Sequence, residues 1–301
     1  MLISINSKTS TPTNTMIPLF GCGMGDKILI MMKCNRMHKD TGRRFILSSN
    51  ISNDNSLFYT PRFVDSFIGV DVSKVPGFPN VNWEAVLRHY ASLIPYEYTP
   101  LVLDHLHDGM IVPDDLKELF VPSKGHSNAA ELFWDINDLH GQFVITCHIR
   151  RLAHGVHQEV SISWWAKFLE VMSRNGIRCI LLVDTLYEGY TRMFGNYPVI
   201  PLIYSHTSME YIYAVINKSR FFIGTDTGIS WLAATTKAIP IILLYKEWLG
   251  GMRDIYLKEG TTILAPFAMD SLIREGKLSM IRPRVTNIGL DEAIEYILCR
   301  V

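Results

Sequence analysis

Residues 219–245 read SRFFIGTDTGISWLAATTKAIPIILLY. Two short apolar runs, 221–224 and 239–244, flank a polar turn and a helix-like stretch at 227–236. Neither run alternates apolar with polar residues, as expected for strands covered on both faces in a parallel sheet. The turn carries Asp226, Thr227 and Gly228 and opens directly into the helix, so the segment reads as strand, turn, helix, strand.

The pattern continues upstream. A helix is expected over 208–217 with Ser208 as its cap, a continuous apolar strand over 178–183, and an amphipathic helix over 163–175. Ser161 or Ser163 suits the N-cap of that helix, and Gly176 the glycine that ends it. Residues 143–149 form a further strand and 290–299 a last helix. Strands alternating with helices argue for an α/β fold with crossover helices.

The first half opens with a polar tail over residues 1–15. An apolar run at 16–20 ends in glycines, a helix is expected from about 25 to 38, and a strand from 44 to 48. Further on, 83–93 reads as helix, 99–103 as strand and 114–120 as a short helix. The turn-prone residues 137–142 precede a fresh strand, which divides the chain into domains 1–140 and 141–301. Each half is expected to hold its own parallel sheet, with a cleft at the C-terminal ends of the strands, where ligands of doubly wound folds bind.

Composition narrows the function. The 301 residues are 48% hydrophobic and 19% charged, enough to bury sizeable cores. Lys plus Arg and Asp plus Glu both number 29, so the formal charge is zero and no basic excess exists to hold a nucleic acid. Five widely spaced cysteines with no CxxC pair read as reduced thiols, without a disulfide framework or zinc site. Neither a signal peptide nor a membrane-spanning run is legible, which favours a cytoplasmic protein and leaves peripheral membrane contact open.

Three motifs carry chemistry. The first is FGCGMGDK over 20–27, where Gly21, Gly23 and Gly25 alternate at a strand-to-helix junction. Glycine lets the backbone turn sharply and approach a ligand. The spacing is not GxGxxG, and no acidic residue ends the second strand, so a dinucleotide cofactor is disfavoured. Asp26, in the first turn of the helix, can take a proton from an acceptor hydroxyl or can simply complement the helix dipole.

The second motif is the Asp226 turn. The backbone N–H groups of Thr227 and Gly228, with the hydroxyls of Thr227 and Ser230, suit a diphosphate. Asp226 suits sugar hydroxyls instead, since a carboxylate repels phosphate; the alternative is a helix N-cap. The third motif is His148-Ile149-Arg150-Arg151 at a strand end. Arg150 or Arg151 suits phosphate oxygens, and surface ion pairs are the alternative. His148, His154 and His157 lack the spacing of a metal site, and Trp164 with Trp165 reads as core.

Together these segments resemble the heptosyltransferase-like enzymes of glycosyltransferase family nine, which have the GT-B fold of two Rossmann-like domains facing across a cleft. The resemblance rests on Met24-Gly25-Asp26 at the first helix and on the run from Asp226-Thr227-Gly228 to Leu232-Ala233-Ala234. It covers both domain cores and is weak over 50–135. Trp231 stands where the family usually has His, which leaves the sugar identity open, and a Trp there can stack on an apolar sugar face. His148 to Arg151 also looks in part like the HxRR segment of GT-B fucosyltransferases.

The resemblance implies an inverting glycosyltransferase that moves a sugar from a nucleotide-diphosphate sugar to an acceptor hydroxyl, with no metal or other cofactor. Asp26 would be the general base. Asp226 would hold donor hydroxyls, Thr227 and Gly228 would meet the diphosphate, and Glu188 would contact the nucleoside. The acceptor, whether glycan, lipid-linked sugar, protein or small molecule, and the donor base are not legible. A nucleotide-sugar epimerase or hydrolase, or a non-catalytic binding protein of the same fold, are the rivals.

Overall fold

The structure, a computed structural model, describes residues 3–7, 15–19, 24–50, 55–70, 119–149, 162–183, 194–204, 207–225, 227–243, 279–281 and 288–301. The chain divides into two compact units, Met1–Val121 and Pro122–Val301.

In the first unit, β1 (Ile3–Ser7), β2 (Thr15–Pro18), α1 (Met24–Thr41), β3 (Phe45–Asn50), α2 (Asn55–Tyr59) and β4 (Val64–Val70) follow one another. The sheet order is β1-β4-β3-β2. β2, β3 and β4 are parallel, as expected. β1 is not: it runs antiparallel to β4, from Ile3 opposite Val70 to Ser7 opposite Ser66. Residues 3–7 of the segment read as a polar tail therefore form an edge strand. Its alternation of Ile3 and Ile5 with Ser4 and Asn6 is too short to stand out, and β4 supplies the hydrogen-bonding edge it needs.

α1 is longer than expected, and Ile28, Met31 and Met32, an i, i+3, i+4 stripe along it, are fully or nearly fully buried. Within β4, Asp65 is 1% exposed and accepts a hydrogen bond from Arg44 Nε at 2.5 Å. The expected elements at 83–93 and 99–103 lie outside the described residues, as does 114–118. Leu119 and Phe120, the end of that expected short helix, are not helical.

The second unit contains α3 (Lys124–Ile136), β5 (Val144–His148), α4 (Ile162–Arg174), β6 (Arg178–Val183), β7 (Val199–Ile203), α5 (Met209–Lys218), β8 (Phe221–Thr225), α6 (Gly228–Ala233), β9 (Ile239–Leu243), β10 (Ser279–Ile281) and α7 (Ile288–Leu298). All six strands are parallel, in the order β10-β9-β8-β5-β6-β7. β5 is buried along its whole length and β6 from its second residue on, which is why their sequences show no alternation.

α4 begins at Ile162, so Ser163 is an exposed residue inside the helix and not its cap; Ser161 lies outside the described residues. The helix ends as its sequence predicts. Gly176 has φ +70°, its N–H bonds to Ser173 O at 3.0 Å, and the N–H of Ile177 bonds to Met172 O at 3.0 Å. This paired closure with a left-handed glycine is the Schellman arrangement.

One core cluster joins Trp164, Trp165 and Phe168 of α4, Ile145 and Cys147 of β5, Cys179 and Leu181 of β6, Phe221 and Ile223 of β8, and Ala293 and Ile297 of α7. Trp164 stacks on Phe168 at 5.3 Å, and Trp165 meets the same ring edge-on at 5.9 Å. Burying each such side chain contributes about 1.5–3 kcal/mol. Among the described residues no helix is long and apolar enough to cross a membrane.

Candidate functional site

The strand order of the second unit fixes where a ligand site belongs. Counted from β5 as the first strand, the order is 3-2-1-4-5-6, the order of doubly wound dinucleotide-binding sheets. The chain leaves β5 towards β6 and β7 on one side and returns through β8, β9 and β10 on the other. The topological switch point therefore lies between the C-terminal ends of β5 and β8. A described residue of two of the three sequence motifs lies there: His148 is the last residue of β5 and pairs with Gly224 of β8, and Thr227 precedes the helix that follows β8.

Local chemistry shapes the β8–α6 turn. Thr227 is extended, with φ −146° and ψ 165°, and is the N-cap of α6, its hydroxyl accepting the N–H of Ser230 at 3.4 Å. The cap is thus Thr227 and not Asp226, the alternative weighed for Asp226 from sequence. Thr227 Oγ1 also lies 3.1 Å from His148 Nδ1 and 3.3 Å from Ser230 Oγ. Ser230 is fully buried, Thr227 is 8% exposed and His148 is 2% exposed. The Tyr204 ring and the His148 imidazole meet edge-to-face, with centroids 5.4 Å apart and planes at 70°. Gly228 and Trp231 are partly exposed beside them.

α6 stops at Ala233, short of the expected 236. The hydroxyls of Thr235 and Thr236 donate to Leu232 O and Ala233 O, both at 2.7 Å, and so occupy carbonyls that a longer helix would use.

Of the remaining site residues expected from sequence, Gly23, Arg150, Arg151, Glu188 and Asp226 lie outside the described residues. Arg150 directly follows Ile149 at the end of β5, and Asp226 sits between Thr225 and Thr227. In the first unit, Gly25 and Asp26 are the second and third residues of α1, in its first turn.

No protein-family model and no curated protein sequence matches the chain. Solved structures do. A glycosyl transferase of family 9 from Veillonella parvula matches over 98% of this chain and 100% of its own, at 12% identity and a TM-score of 0.64. The E. coli ADP-heptose LPS heptosyltransferase II matches over 95% and 98%, at 12% identity and 0.65. The E. coli heptosyltransferase WaaC with ADP-2-deoxy-2-fluoro heptose matches over 96% and 100%, at 11% identity and 0.57.

The chain has the fold of a family 9 glycosyltransferase.

The GT-B glycosyltransferase fold accounts for the α/β architecture with its parallel sheets. Sequence reasoning missed two residues of the switch point in this fold. His148 reads from sequence as the first residue of the HxRR-like segment and as a rejected metal ligand, with no role at the turn, because its contact with Thr227 spans 79 residues of chain. Gly224 read as a strand terminus, yet a Cβ there would stand 3.1 Å from Ser230 Oγ and 3.1 Å from the Phe222 ring.

Elsewhere, the ligand atoms of Glu131, Asp135 and His140 lie within 4.8 Å of one another, and all three residues are exposed. Lys218 forms an ion pair with Glu131, and its ammonium lies 5.4 Å from the Trp134 ring centroid. His140 Nε2 lies 2.7 Å from Asp135. This is an exposed surface cluster in which the Lys218 ammonium already pairs with Glu131.

Proposed function

We propose that the chain is an inverting glycosyltransferase that moves a sugar from a nucleotide-diphosphate sugar to an acceptor hydroxyl without a metal ion. One observation carries the reading: His148, the first residue of the HxRR-like segment, lies at the C-terminal end of β5, and Thr227 and Gly228 open the helix that follows β8, on the two strands that flank the switch point of the six-stranded sheet. The fold shared with heptosyltransferases supports it independently.

In this reading the second unit holds the donor. Thr227 and Gly228 present the turn to the diphosphate, Arg150 or Arg151 offsets the charge that grows on the leaving group, and Asp226 takes hydrogen bonds from donor hydroxyls. Glu188 contacts the nucleoside. Trp231, partly exposed on α6, offers a ring face to the sugar. The first unit supplies Asp26. The acceptor oxygen attacks the anomeric carbon, the bond from that carbon to the β-phosphate oxygen breaks, the acceptor proton goes to the Asp26 carboxylate, and the nucleoside diphosphate departs. Attack opposite the leaving group inverts the anomeric centre. The balanced charge of the chain disfavours a nucleic-acid acceptor.

The test is a thermal-shift panel of ADP-heptose and other ADP-, GDP- and UDP-sugars, with and without magnesium, followed by turnover of Asp26→Asn. A rise in Tm with one nucleotide, unchanged by chelator, is expected. Asp26→Asn is expected to keep that shift and lose transfer. No shift with any donor overturns the reading; a shift with full turnover in Asp26→Asn removes Asp26 from the chemistry.

A further inference from the structure

We propose that His148 is a positioning residue of the donor site, holding the β8–α6 turn through the Thr227 hydroxyl; this rests on the reading that the switch point binds a nucleoside diphosphate.

A hydroxyl has one proton and two lone pairs. One lone pair of Thr227 Oγ1 takes the Ser230 N–H at 3.4 Å, a long bond for a cap. The proton and the other lone pair fall to His148 Nδ1 at 3.1 Å and Ser230 Oγ at 3.3 Å. Whichever of these donates, the hydroxyl is saturated by protein groups and buried. Thr227 therefore serves a ligand through the backbone it orients and not through its oxygen.

The orientation then depends on what anchors that oxygen. The cap bond alone is long, and the imidazole is the anchor from outside the turn. His148 is itself held at the end of β5, paired with Gly224, and packed edge-to-face with the Tyr204 ring. A buried imidazole is costly unless hydrogen-bonded, so an apolar residue would fill the same volume more cheaply if packing were its only role.

The test combines nucleoside-diphosphate binding with amide hydrogen exchange. His148→Ala is expected to weaken binding by about tenfold, the loss typical of one buried hydrogen bond. It is also expected to speed exchange of the amides of residues 228–230. His148→Asn, whose amide reaches the Nδ1 position, should restore both, while His148→Gln should not. In a Thr227→Val background, His148→Ala should have no further effect on binding, because its route is gone.

Unchanged binding and exchange in His148→Ala overturn the proposal, as does an equal loss in the Thr227→Val background. If His148→Ala does not fold, equal behaviour of His148→Asn and His148→Gln overturns it. If the wild-type chain binds no nucleoside diphosphate, the donor-site reading falls. Exchange then decides alone: faster exchange in His148→Ala that His148→Asn reverses keeps His148 as the anchor of the turn, and unchanged exchange removes it.

Discussion

Gly224 lies close against Ser230: a Cβ at Gly224 would stand 3.1 Å from Ser230 Oγ, so one of the two would have to give by a few tenths of an ångström. Ser230 is fully buried and its hydroxyl lies 3.3 Å from that of Thr227, the N-cap of α6, so it has little room to move. Gly224→Ala is therefore expected to cost about 1–3 kcal/mol, the usual range for overpacking a dense core. Nucleotide binding should weaken with it, because a displaced Ser230 disturbs the turn. Urea melts and donor titrations of the variant check both, and wild-type stability would show that α6 gives way freely.

His126 joins the caps of two helices. Its Nδ1 lies 2.9 Å from the Oγ of Ser123, the N-cap of α3, and its Nε2 lies 2.9 Å from the Oγ of Ser208, the N-cap of α5. The buried Glu210 carboxylate accepts the Ser123 N–H and lies 3.1 Å from His126 Nδ1. Ser123→Ala and Ser208→Ala should each cost about 1 kcal/mol, as for other serine caps. Combining Ser208→Ala with His126→Ala should cost less than the sum, since both remove the same bond. Strict additivity in denaturant melts would separate His126 from the caps.

Local signals were legible in the sequence and long-range ones were not. Gly176 and Ser208 do their work within a few residues, so the glycine that ends α4 and the serine that caps α5 could be read directly. The quoted stretch from 219 to 245 gave β8, α6 and β9 because its buried runs lack alternation. β1 escaped because its pairing partners, from Ser66 to Val70, lie far along the chain. α3 escaped because Leu132 and Ile136 are exposed and blur its apolar stripe. At the site, the turn was legible as a turn, but its cap was not: Asp226 and Thr227 are both good capping residues, and the choice shows only in the backbone of Thr227 and its contact with His148.

Burial pushes the Cys147 thiol well above its ordinary pKa, and the neighbouring Cys179 adds to the shift through a side-chain hydrogen bond and its charge. The thiolate is the nucleophile, so Cys147 should resist iodoacetamide at pH 8, while the exposed Cys299 reacts. The shift also has a sign for stability. Between the unfolded thiol's pKa, about 8.5, and the raised folded value, the unfolded chain binds fewer protons, so stability falls as pH rises through that window. Mass mapping of alkylated native protein, and melts from pH 7 to 10, check the two statements. Early labelling of Cys147 in the native chain would contradict the first.

Arg44 and Asp65 test the first unit. Asp65 is 1% exposed and carries the Arg44 guanidinium, while the Arg44 side chain is 35% exposed. Removing the cation leaves a carboxylate in the sheet without its charge partner, which costs about 3–5 kcal/mol when the pair is fully buried. Exposure of Arg44 lets water replace part of the lost interaction, so Arg44→Met is expected at or below the lower end of that range. Asp65→Asn removes the charge itself and should cost less than Arg44→Met. Tyr59 gives a second readout. Its pKa is raised first by burial and then by the negative charge of Asp65, so Asp65→Asn should lower it part of the way back, as followed by ultraviolet titration of the phenol. Equal stability losses in the two variants, with Tyr59 unmoved, would mean that Asp65 is not the charged group on which Arg44 acts.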